Sequence, residues 1–385
     1  MFEYQEKRRF FAQVAGGMED LGAEELSELN AGNIRAAYRG LYFEADNPAL
    51  YRINYTSRLI TRVLAPLVSF KCSGTDQLYQ KSKSVNWNEL FSADHTFAVF
   101  ANVANSRITH SRFAALRLKD AIADFFSERF NKRPGVDTEN PDVWINLHVE
   151  NDRAAISLDT SGGSLHRRGY RQKSVEAPMQ ETLAAAIIRL SQWDGSRPLY
   201  DPMCGSGTLL CEALMHHCQI PAGYLRKRFG FEFLPDFDPS LWQSVKAEAE
   251  RGIRKISGAG SGKSIPISGS DISYKAIGAS SANLRRLPGG EQVRLKVFDF
   301  RSIPGLENAL IVCNPPYGIR SGKREEMAGF YKAFGDFLKQ RCRGAVAYIY
   351  FGDREWIPCL GLRPSWKKPL VNGALDGRLA RFEMY

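Results

Sequence analysis

Residues 311–318 read Ile-Val-Cys-Asn-Pro-Pro-Tyr-Gly. An apolar run ends in an amide, two prolines and a tyrosine. Neither proline offers an N–H, and each holds the residue before it in extended geometry. Asn314, Pro315, Pro316 and Tyr317 are therefore stiffly placed at what reads as a strand end. Open α/β sheets put their ligands at such ends. The Asn314 side-chain oxygen and the Pro315 carbonyl make two neighbouring acceptors. Such a pair can take both hydrogens of a conjugated exocyclic amine, orient its lone pair and stabilise positive charge developing on nitrogen. Tyr317 is suited to stack on the base that carries the amine.

A second stretch, Asp201-Pro-Met-Cys-Gly-Ser-Gly-Thr208, follows a strand and opens a helix. Gly205 and Gly207 permit tight turns and close approach of a ligand. Free N–H groups at the helix start favour an anion or carboxylate, and Asp201 is placed to receive an ammonium. The stretch lacks the Gly-Lys-Ser/Thr of a phosphate-binding loop, and it is not G-x-G-x-x-G. Asp271 and Asp299 end the next two strands. Asp271 suits the two hydroxyls of a ribose, or alternatively the cap of the helix that follows. Asp299 suits an adenine amino group, with Phe298 or Phe300 flanking the ring, or else a turn. Three acids and a glycine loop at successive strand ends jointly fit a nucleoside with a charged tail, S-adenosylmethionine.

The elements that must hold these residues alternate from Glu176 onward. Helix Gln180–Gln192 precedes strand Pro198–Tyr200, the glycine loop and helix Leu209–Cys218. Strands follow at Ile267–Asp271, Val293–Phe298, Ala309–Cys313 and Ala345–Tyr350, with a helix at Tyr274–Leu284. This alternation predicts a mostly parallel sheet with helices on both faces. The final strands, Lys367–Asn372 and Leu379–Tyr385, are joined too briefly for anything but an antiparallel pair. One reversed strand is expected at or near the sheet's end. The first half reads differently. Residues 10–45 form a strand, a helix and a hairpin turning at Arg39-Gly40, in part ferredoxin-like. A second α/β unit follows, with a helix starting at Pro48 and a long helix at Ser111–Phe130. Phe113, Leu116, Ala121, Phe125 and Phe126 are expected on the buried side of that helix. The segment 161–175, Ser-Gly-Gly-Ser-Leu-His-Arg-Arg-Gly-Tyr-Arg-Gln-Lys-Ser-Val, reads equally as a basic linker or a nucleic-acid contact.

The chain has 385 residues, enough for two or three domains, and a net charge of +10. A basic surface suggests a polyanionic partner, with nucleic acid first. Seven cysteines without a Cys-x-x-Cys pair indicate neither a zinc site nor a disulfide framework. No metal, no membrane span and no signal peptide are expected, and the expected location is cytoplasmic.

The chain resembles class I S-adenosylmethionine-dependent methyltransferases of the amino-group type. More closely it is similar to the THUMP-domain RNA methyltransferases, above all the bacterial 23S ribosomal RNA guanine-N2 methyltransferases. Ser164-Leu-His-Arg-Arg-Gly-Tyr-Arg171, Ala177-Pro-Met-Gln-Glu-Thr-Leu183, Asp201–Thr208 and Asn314–Gly318 carry the resemblance. Residues 106–122, 369–373 and 378–385 extend it to nearly the whole chain. It implies an α/β chain: a Rossmann-like class I methyltransferase domain over 176–385, with a mostly parallel sheet and one reversed strand. A ferredoxin-like part over 1–47 and a THUMP RNA-binding domain over 48–160 would precede it, with the basic linker 161–175 between. By the same resemblance Pro178, Glu181, Thr182, Cys204, Ser206, Thr208 and Asn314 approach the cofactor beside the acids and glycines above. Arg107, Arg112, Arg117, Lys119, Arg167, Arg168, Tyr170 and Arg171 would contact RNA. The implied activity is methylation of a guanine N2 in 23S ribosomal RNA, on naked RNA or an assembling large subunit. The same acceptors suit adenine N6 in DNA or RNA, and a non-catalytic RNA-binding assembly factor is the alternative of another class. One departure concerns spacing. Dinucleotide folds place the ribose acid about twenty residues past the glycine loop, whereas an insertion over 219–266 separates Cys204 from Asp271. It contains Arg226-Lys-Arg-Phe229 and is expected to be an RNA-facing flap or a solvated excursion.

Overall fold

A computed structural model describes residues 1–173, 179–254, 265–317, 324–373 and 375–385. The chain forms two compact units. The first comprises residues 1–14, 22–165 and 226–247; the second comprises 15–21, 166–225 and 248–385.

The first unit is built on strands β1 (Arg9–Gln13), β2 (Gly32–Ala37), β3 (Gly40–Glu44), β4 (Arg62–Lys71), β5 (Thr96–Ala104), β6 (Gly135–Val136), β7 (Val143–Glu150) and β8 (Arg153–Asp159). They make one eight-stranded sheet in the order β2-β3-β1-β4-β8-β7-β5-β6. β4 pairs with β1 on one side and β8 on the other. The ferredoxin-like and THUMP-like stretches thus share a continuous sheet. The hairpin β2–β3 turns at Tyr38-Arg39, where Arg39 takes a left-handed φ of 52°. Asp46 caps helix Asn47–Thr56 by accepting the Ala49 N–H at 2.9 Å, and Pro48 lies in its first turn.

Helix Ser111–Phe130 has the expected bounds but another buried stripe. Ala114, Leu118, Ala121, Ile122, Phe125 and Phe126 face the core. Phe113 and Leu116 are 52% and 46% exposed, which corrects their expected burial. Positions 114, 118, 121, 122 and 125 keep the i, i+3, i+4 spacing of one helix face. Residues 113 and 116 fall beside that stripe.

The insertion is neither a flap nor a solvated excursion over residues 226–247. This segment belongs to the first unit and supplies part of its core. The Phe231 ring lies 4.6 Å from that of Tyr51, 5.1 Å from Phe229 and 5.1 Å from Trp242. Gly230 passes so close to β8 that a Cβ there would stand 1.9 Å from the Asp159 carbonyl. Arg226 donates to the carbonyls of Ser161, Gly162, Gly163 and Ser164, and Arg228 pairs with Asp142 at 2.7 Å. The Gly/Ser-rich stretch 257–264 lies outside the described residues.

The second unit contains β9 (Leu199–Asp201), β10 (Ile267–Asp271), β11 (Arg294–Val297), β12 (Leu310–Cys313), β13 (Val346–Phe351), β14 (Trp366–Asn372) and β15 (Leu375–Glu383). Their order is β11-β10-β9-β12-β13-β15-β14. β9 to β13 are parallel, and β15 runs against both neighbours. The reversed strand is therefore next to the edge. From β9 the chain steps outward to β10 and β11, then returns to the other side of β9 for β12 and β13. That reversal is a topological switch point, where a crevice opens at the carboxyl ends of the strands. Helix Arg324–Arg341 covers one face, with Tyr331, Phe334 and Leu338 packed among Ile311, Cys313, Ala347 and Ile349.

Replacing Phe231 with alanine should destabilise the first unit by roughly 3–5 kcal/mol, the usual cost of deleting a buried aromatic ring. Chemical denaturation followed by tryptophan fluorescence measures this. A change near zero would remove the segment from the core.

Candidate active site

β9 is only three residues long and lies between β10 and β12, so its exit is central. Asp201 ends it and is 1% exposed. Its carboxylate accepts the Met203 N–H at 3.1 Å. Burial, with a smaller contribution from Asp271, pushes its pKa up to about 8 against the opposing Met203 hydrogen bond. The loop then turns through Gly205 and Gly207, with φ of 55° and 80°. A Cβ on Gly207 would stand 2.9 Å from the Ser280 hydroxyl, so glycine is required by both φ and space. Helix Thr208–His217 starts immediately after it.

Four side chains hold this loop. Asp271 Oδ2 accepts the Gly205 N–H at 2.9 Å, while its Oδ1 accepts the Ser273 N–H at 2.9 Å. Ser280 Oγ donates to the Gly205 carbonyl, and Asn283 Nδ2 to that of Ser206. Arg171 bonds Ser206 Oγ at 3.2 Å, Thr208 Oγ1 at 3.1 Å, the Met179 carbonyl at 3.1 Å and Glu181 Oε1 at 3.0 Å. Helix Tyr274–Leu284 is capped by Ser273, whose side chain accepts the Ala276 N–H. Asp271 is thus not the cap of that helix. Its carboxylate keeps lone pairs beyond the two it uses.

Asp299 follows β11. It accepts the Arg301 N–H at 2.8 Å and pairs with the Arg301 guanidinium at 2.9 Å. Phe300 is buried among Phe330, Phe334 and Phe337, which excludes it as the flanking ring. Phe298 is 37% exposed, and its N–H bonds the Asp271 carbonyl at 3.0 Å. Ile272, 70% exposed beside Asp271, adds an apolar side chain at the same strand ends. The sequence reading missed Ile272; its signal is an apolar residue directly after the strand-ending acid.

β12 delivers Asn314, Pro315, Pro316 and Tyr317 at the same edge. Asn314 is half-buried and its Oδ1 accepts the Tyr317 hydroxyl at 2.6 Å. Tyr331 donates to the Pro316 carbonyl at 3.1 Å. The Tyr317 ring lies against Gly352, where a Cβ would come within 2.6 Å of it. Burial pushes the Tyr317 phenol up to about 12, so it remains a hydrogen donor at neutral pH. Burial also pushes the Cys204 and Cys313 thiols well above their usual range. Neither is a ready thiolate nucleophile.

Other expected site residues separate into groups. Glu181, Thr182, Ser206 and Thr208 are buried around the loop. Thr182 Oγ1 has no partner among the described residues. Pro178 lies outside the described residues. Arg168 and Tyr170 are corrected as RNA contacts, being 1% and 0% exposed. Arg168 pairs with Glu212 at 3.3 Å, and the Tyr170 hydroxyl bonds the same carboxylate oxygen at 3.1 Å. Arg171 is likewise occupied inside, at the glycine loop. Arg167 is exposed. In the first unit Arg112 is exposed, and Arg107 has a side chain 74% exposed although it pairs with Asp152. Arg117 pairs with Asp76 at 3.2 Å over the Tyr79 ring, and Lys119 with Asp120 at 2.6 Å.

A glycine loop at the switch point, acids at the next strand ends and a reversed strand beside the edge define a class I methyltransferase domain. The chain belongs to the RMKL-like methyltransferase domain family, whose model matches residues 168–381. A THUMP domain matches residues 72–159 and an RlmL ferredoxin-like domain residues 9–64. It is similar to a Synechocystis sp. protein named "Putative RNA methyltransferase slr0064", 39% identical over 98% of this chain and 97% of that one. It is also similar to the ribosomal RNA large subunit methyltransferase K/L of Syntrophotalea carbinolica, 39% identical over 98% of this chain. The chain spans 53% of that relative's length. Among solved structures, SMU.472 complexed with SAH aligns at a TM-score of 0.84 and 26% identity, covering 98% of both chains.

S-adenosylmethionine is the cofactor, and the site fits it. Asp201 is a buried carboxylate at the loop, Thr182 an unpartnered buried hydroxyl, and Ile272 and Phe298 exposed apolar groups at the strand ends. Among the described residues there is no His/Cys/Asp/Glu cluster that could hold a metal, and no helix long and apolar enough to cross a membrane.

Asp201 gives the site a pH signature. An ammonium is attracted only by the ionised carboxylate. Below about pH 8 the free site is mostly protonated at Asp201, so a cofactor whose ammonium pairs with that carboxylate would release a proton on binding. Affinity should fall by up to about tenfold per pH unit as pH drops below that value. Calorimetry across pH 6–9 measures this, and Asp201→Asn should flatten the profile. A profile equally steep in that variant would assign the linkage elsewhere.

Proposed function

We propose that this protein methylates the exocyclic N2 of a guanine in 23S ribosomal RNA. The observation that carries the reading is Asn314-Pro-Pro-Tyr317 at the end of β12, one strand from the glycine loop at the switch point. The THUMP domain and the ribosomal RNA methyltransferases among the relatives support RNA as substrate. A cytoplasmic location belongs to the same reading.

When bound, S-adenosylmethionine supplies an electrophilic methyl on a sulfonium. The protein's part begins with Asp201 for the ammonium, Asp271 for the ribose hydroxyls, and Asp299 with Phe298 and Ile272 for the adenine. Pro178, Glu181, Thr182 and the loop residues 204–208 complete that pocket. Asn314 Oδ1 and the Pro315 carbonyl accept the two amine hydrogens. The amine of guanine is conjugated with its ring, so its lone pair is a weak nucleophile. Holding both hydrogens draws that pair out of conjugation with the ring and favours the positive charge that grows on nitrogen. The new N–C bond forms as the C–S bond breaks, sulfur keeps the electron pair, and the nitrogen then loses a proton to solvent. Tyr317 supplies the ring on which the base stacks. The Pro316 carbonyl, held by Tyr331, takes no part.

Asn314→Ala should abolish transfer while leaving cofactor affinity within about threefold. Labelled methyl transfer to unmethylated ribosomal RNA and to DNA, with the product nucleoside identified by mass spectrometry, tests the reading. N2-methylguanosine in RNA is expected. N6-methyladenine in either polymer would keep the acceptor mechanism and replace the substrate. Cofactor binding with no transfer to RNA, ribosomal particles or DNA would favour a binding factor.

Arg107 and Arg112 are the phosphate contacts we assign in the THUMP domain. Replacing both with alanine should weaken RNA binding. It should also reduce the slope of log affinity against log salt by about 1.4–1.8, the counterions of two contacts. An unchanged slope would move the RNA surface elsewhere.

A further inference from the structure

Helices pack on one face of the first unit's sheet. Tyr4 of helix Glu3–Lys7 lies 5.7 Å from Phe10 of β1. Gly22 of helix Glu19–Glu28 lies against Leu41 of β3. Phe126 of helix Ser111–Phe130 meets Phe91 at 5.2 Å, and Phe91 meets Phe97 of β5 at 5.8 Å. The strand register puts Phe10, Leu41 and Phe97 on this common face.

The same register sends four aromatic rings to the opposite face. Tyr42 stands opposite Phe11, Phe11 opposite Leu64, and Leu64 opposite Asp159. On the next strands Asn146 stands beside Phe100, with Trp144 two residues before it on the same side. Tyr42 is 47% exposed, and Phe11, Phe100 and Trp144 are half-buried. The rings of Phe11 and Tyr42 are 4.9 Å apart, and those of Phe100 and Trp144 are 6.1 Å apart. The Arg62 guanidinium lies 4.3 Å from the Phe100 ring centre and 5.3 Å from that of Trp144.

We infer that this face is a stacking platform for two or three bases of single-stranded RNA. The inference rests on RNA as the substrate in the reading above, and it adds the surface that holds the strand.

Three observations converge on that occupant. The first is spacing. From β3 to β7 is four strand steps, about 19 Å, and single-stranded RNA sets two or three bases on sheet aromatics at such intervals. The second is charge. Lys71 and Arg153 are exposed directly opposite each other, and like charges so placed repel. Glu150 stands on the far side of Arg153, so the row keeps a net positive charge. Arg35 is exposed opposite Tyr42 at the other flank. The acids nearer the rings are engaged, Glu44 with Arg9 and Asp159 with Arg62. A protein partner would have to desolvate these cations. An RNA strand brings phosphates to them and bases to the rings. The third is an unspent donor. Asn146 is 2% exposed, and its Nδ2 has no partner among the described residues. A base seated on Phe100 brings ring acceptors to that amide, which answers the cost of leaving it unpaired.

Binding of a fluorescent twelve-nucleotide single strand tests this, against a duplex of equal length and an abasic strand with the same phosphates. The wild type should prefer the strand that carries bases. Tyr42→Ala should weaken its binding by about fivefold or more, and Tyr42→Ala with Phe100→Leu by about tenfold or more, the scale of base–ring stacking. The abasic strand should bind all three proteins alike. Cofactor affinity should not change, which also reports that the variants are folded. A second measurement needs no variant. RNA carrying 4-thiouridine, irradiated on the wild type, should crosslink to peptides of β1, β3, β5 and β7. Crosslinks confined to helix Ser111–Phe130, an abasic strand that binds as well as the normal one, or full affinity in the double variant would overturn the platform. So would a dimer of the free protein that the double variant breaks, since the face would then join two copies. Methylation of DNA alone would overturn the proposed function, while the crosslink positions would still decide the platform.

Discussion

The site depends on a loop that cannot hold its own shape. Residues 204–208 run through two left-handed glycines, one of which has no room for a side chain. Glycine gives the conformation and charges for it in chain entropy. The loop is rigid because its neighbours hold it. Asp271 fixes one N–H, Ser280 and Asn283 fix two carbonyls, and Arg171 fixes two hydroxyls. These come from the end of the adjacent strand, from the helix after it and from the segment that opens the domain. A ligand meeting this loop meets groups already positioned, so little ordering remains to be done on binding.

That arrangement redistributes the chain's basic charge. A net charge of +10 suggests a surface for RNA, yet several arginines of the basic segments point inward. Arg168 sits in a buried pair with Glu212, and Arg226 collects four backbone carbonyls. A buried ion pair adds little net stability over an apolar substitute, but removing one partner leaves a costly buried charge. Such arginines fix geometry. The guanidinium fork suits this, since one side chain can hold several acceptors at set angles. Of the cations expected to contact RNA in the first unit, Arg112 is exposed in the first turn of the helix that also exposes Phe113 and Leu116, and Arg107 is exposed just before that helix.

Much of this was legible in the sequence, for physical reasons. Strand β10 and helices Ser111–Phe130 and Tyr274–Leu284 fall where the pattern predicts them, because apolar period and turn residues agree there. The strand-end acids were legible because strand, acid and helix follow one another in sequence. What the sequence hides is long-range. Arg171 reads as a cation for RNA because its partners, Ser206 and Thr208, are thirty-five and thirty-seven residues away. The segment 226–247 reads as a surface excursion because the aromatic partners of its Phe231, led by Tyr51, lie far earlier in the chain. On the helix Ser111–Phe130 the apolar residues outnumber the buried positions, so composition alone could not say that Phe113 faces out.

An amide at position 314 suits the proposed reaction, in which positive charge grows on the substrate nitrogen. A carboxylate there would bind an amine more strongly, but its proton affinity would compete with its role as a fixed acceptor. A neutral amide oxygen keeps the same strength at every working pH. Its weakness is that it can face either way. The neighbouring groups remove that freedom: Pro315 and Pro316 stiffen the backbone, and the Tyr317 hydroxyl, kept protonated by burial, requires an oxygen opposite it. Rigidity of the main chain and polarity of one hydrogen bond are separate constraints. A proline turn without the tyrosine hydroxyl would place the side chain correctly and leave its two ends exchangeable. In this chain both constraints converge on a single oxygen atom at the end of β12.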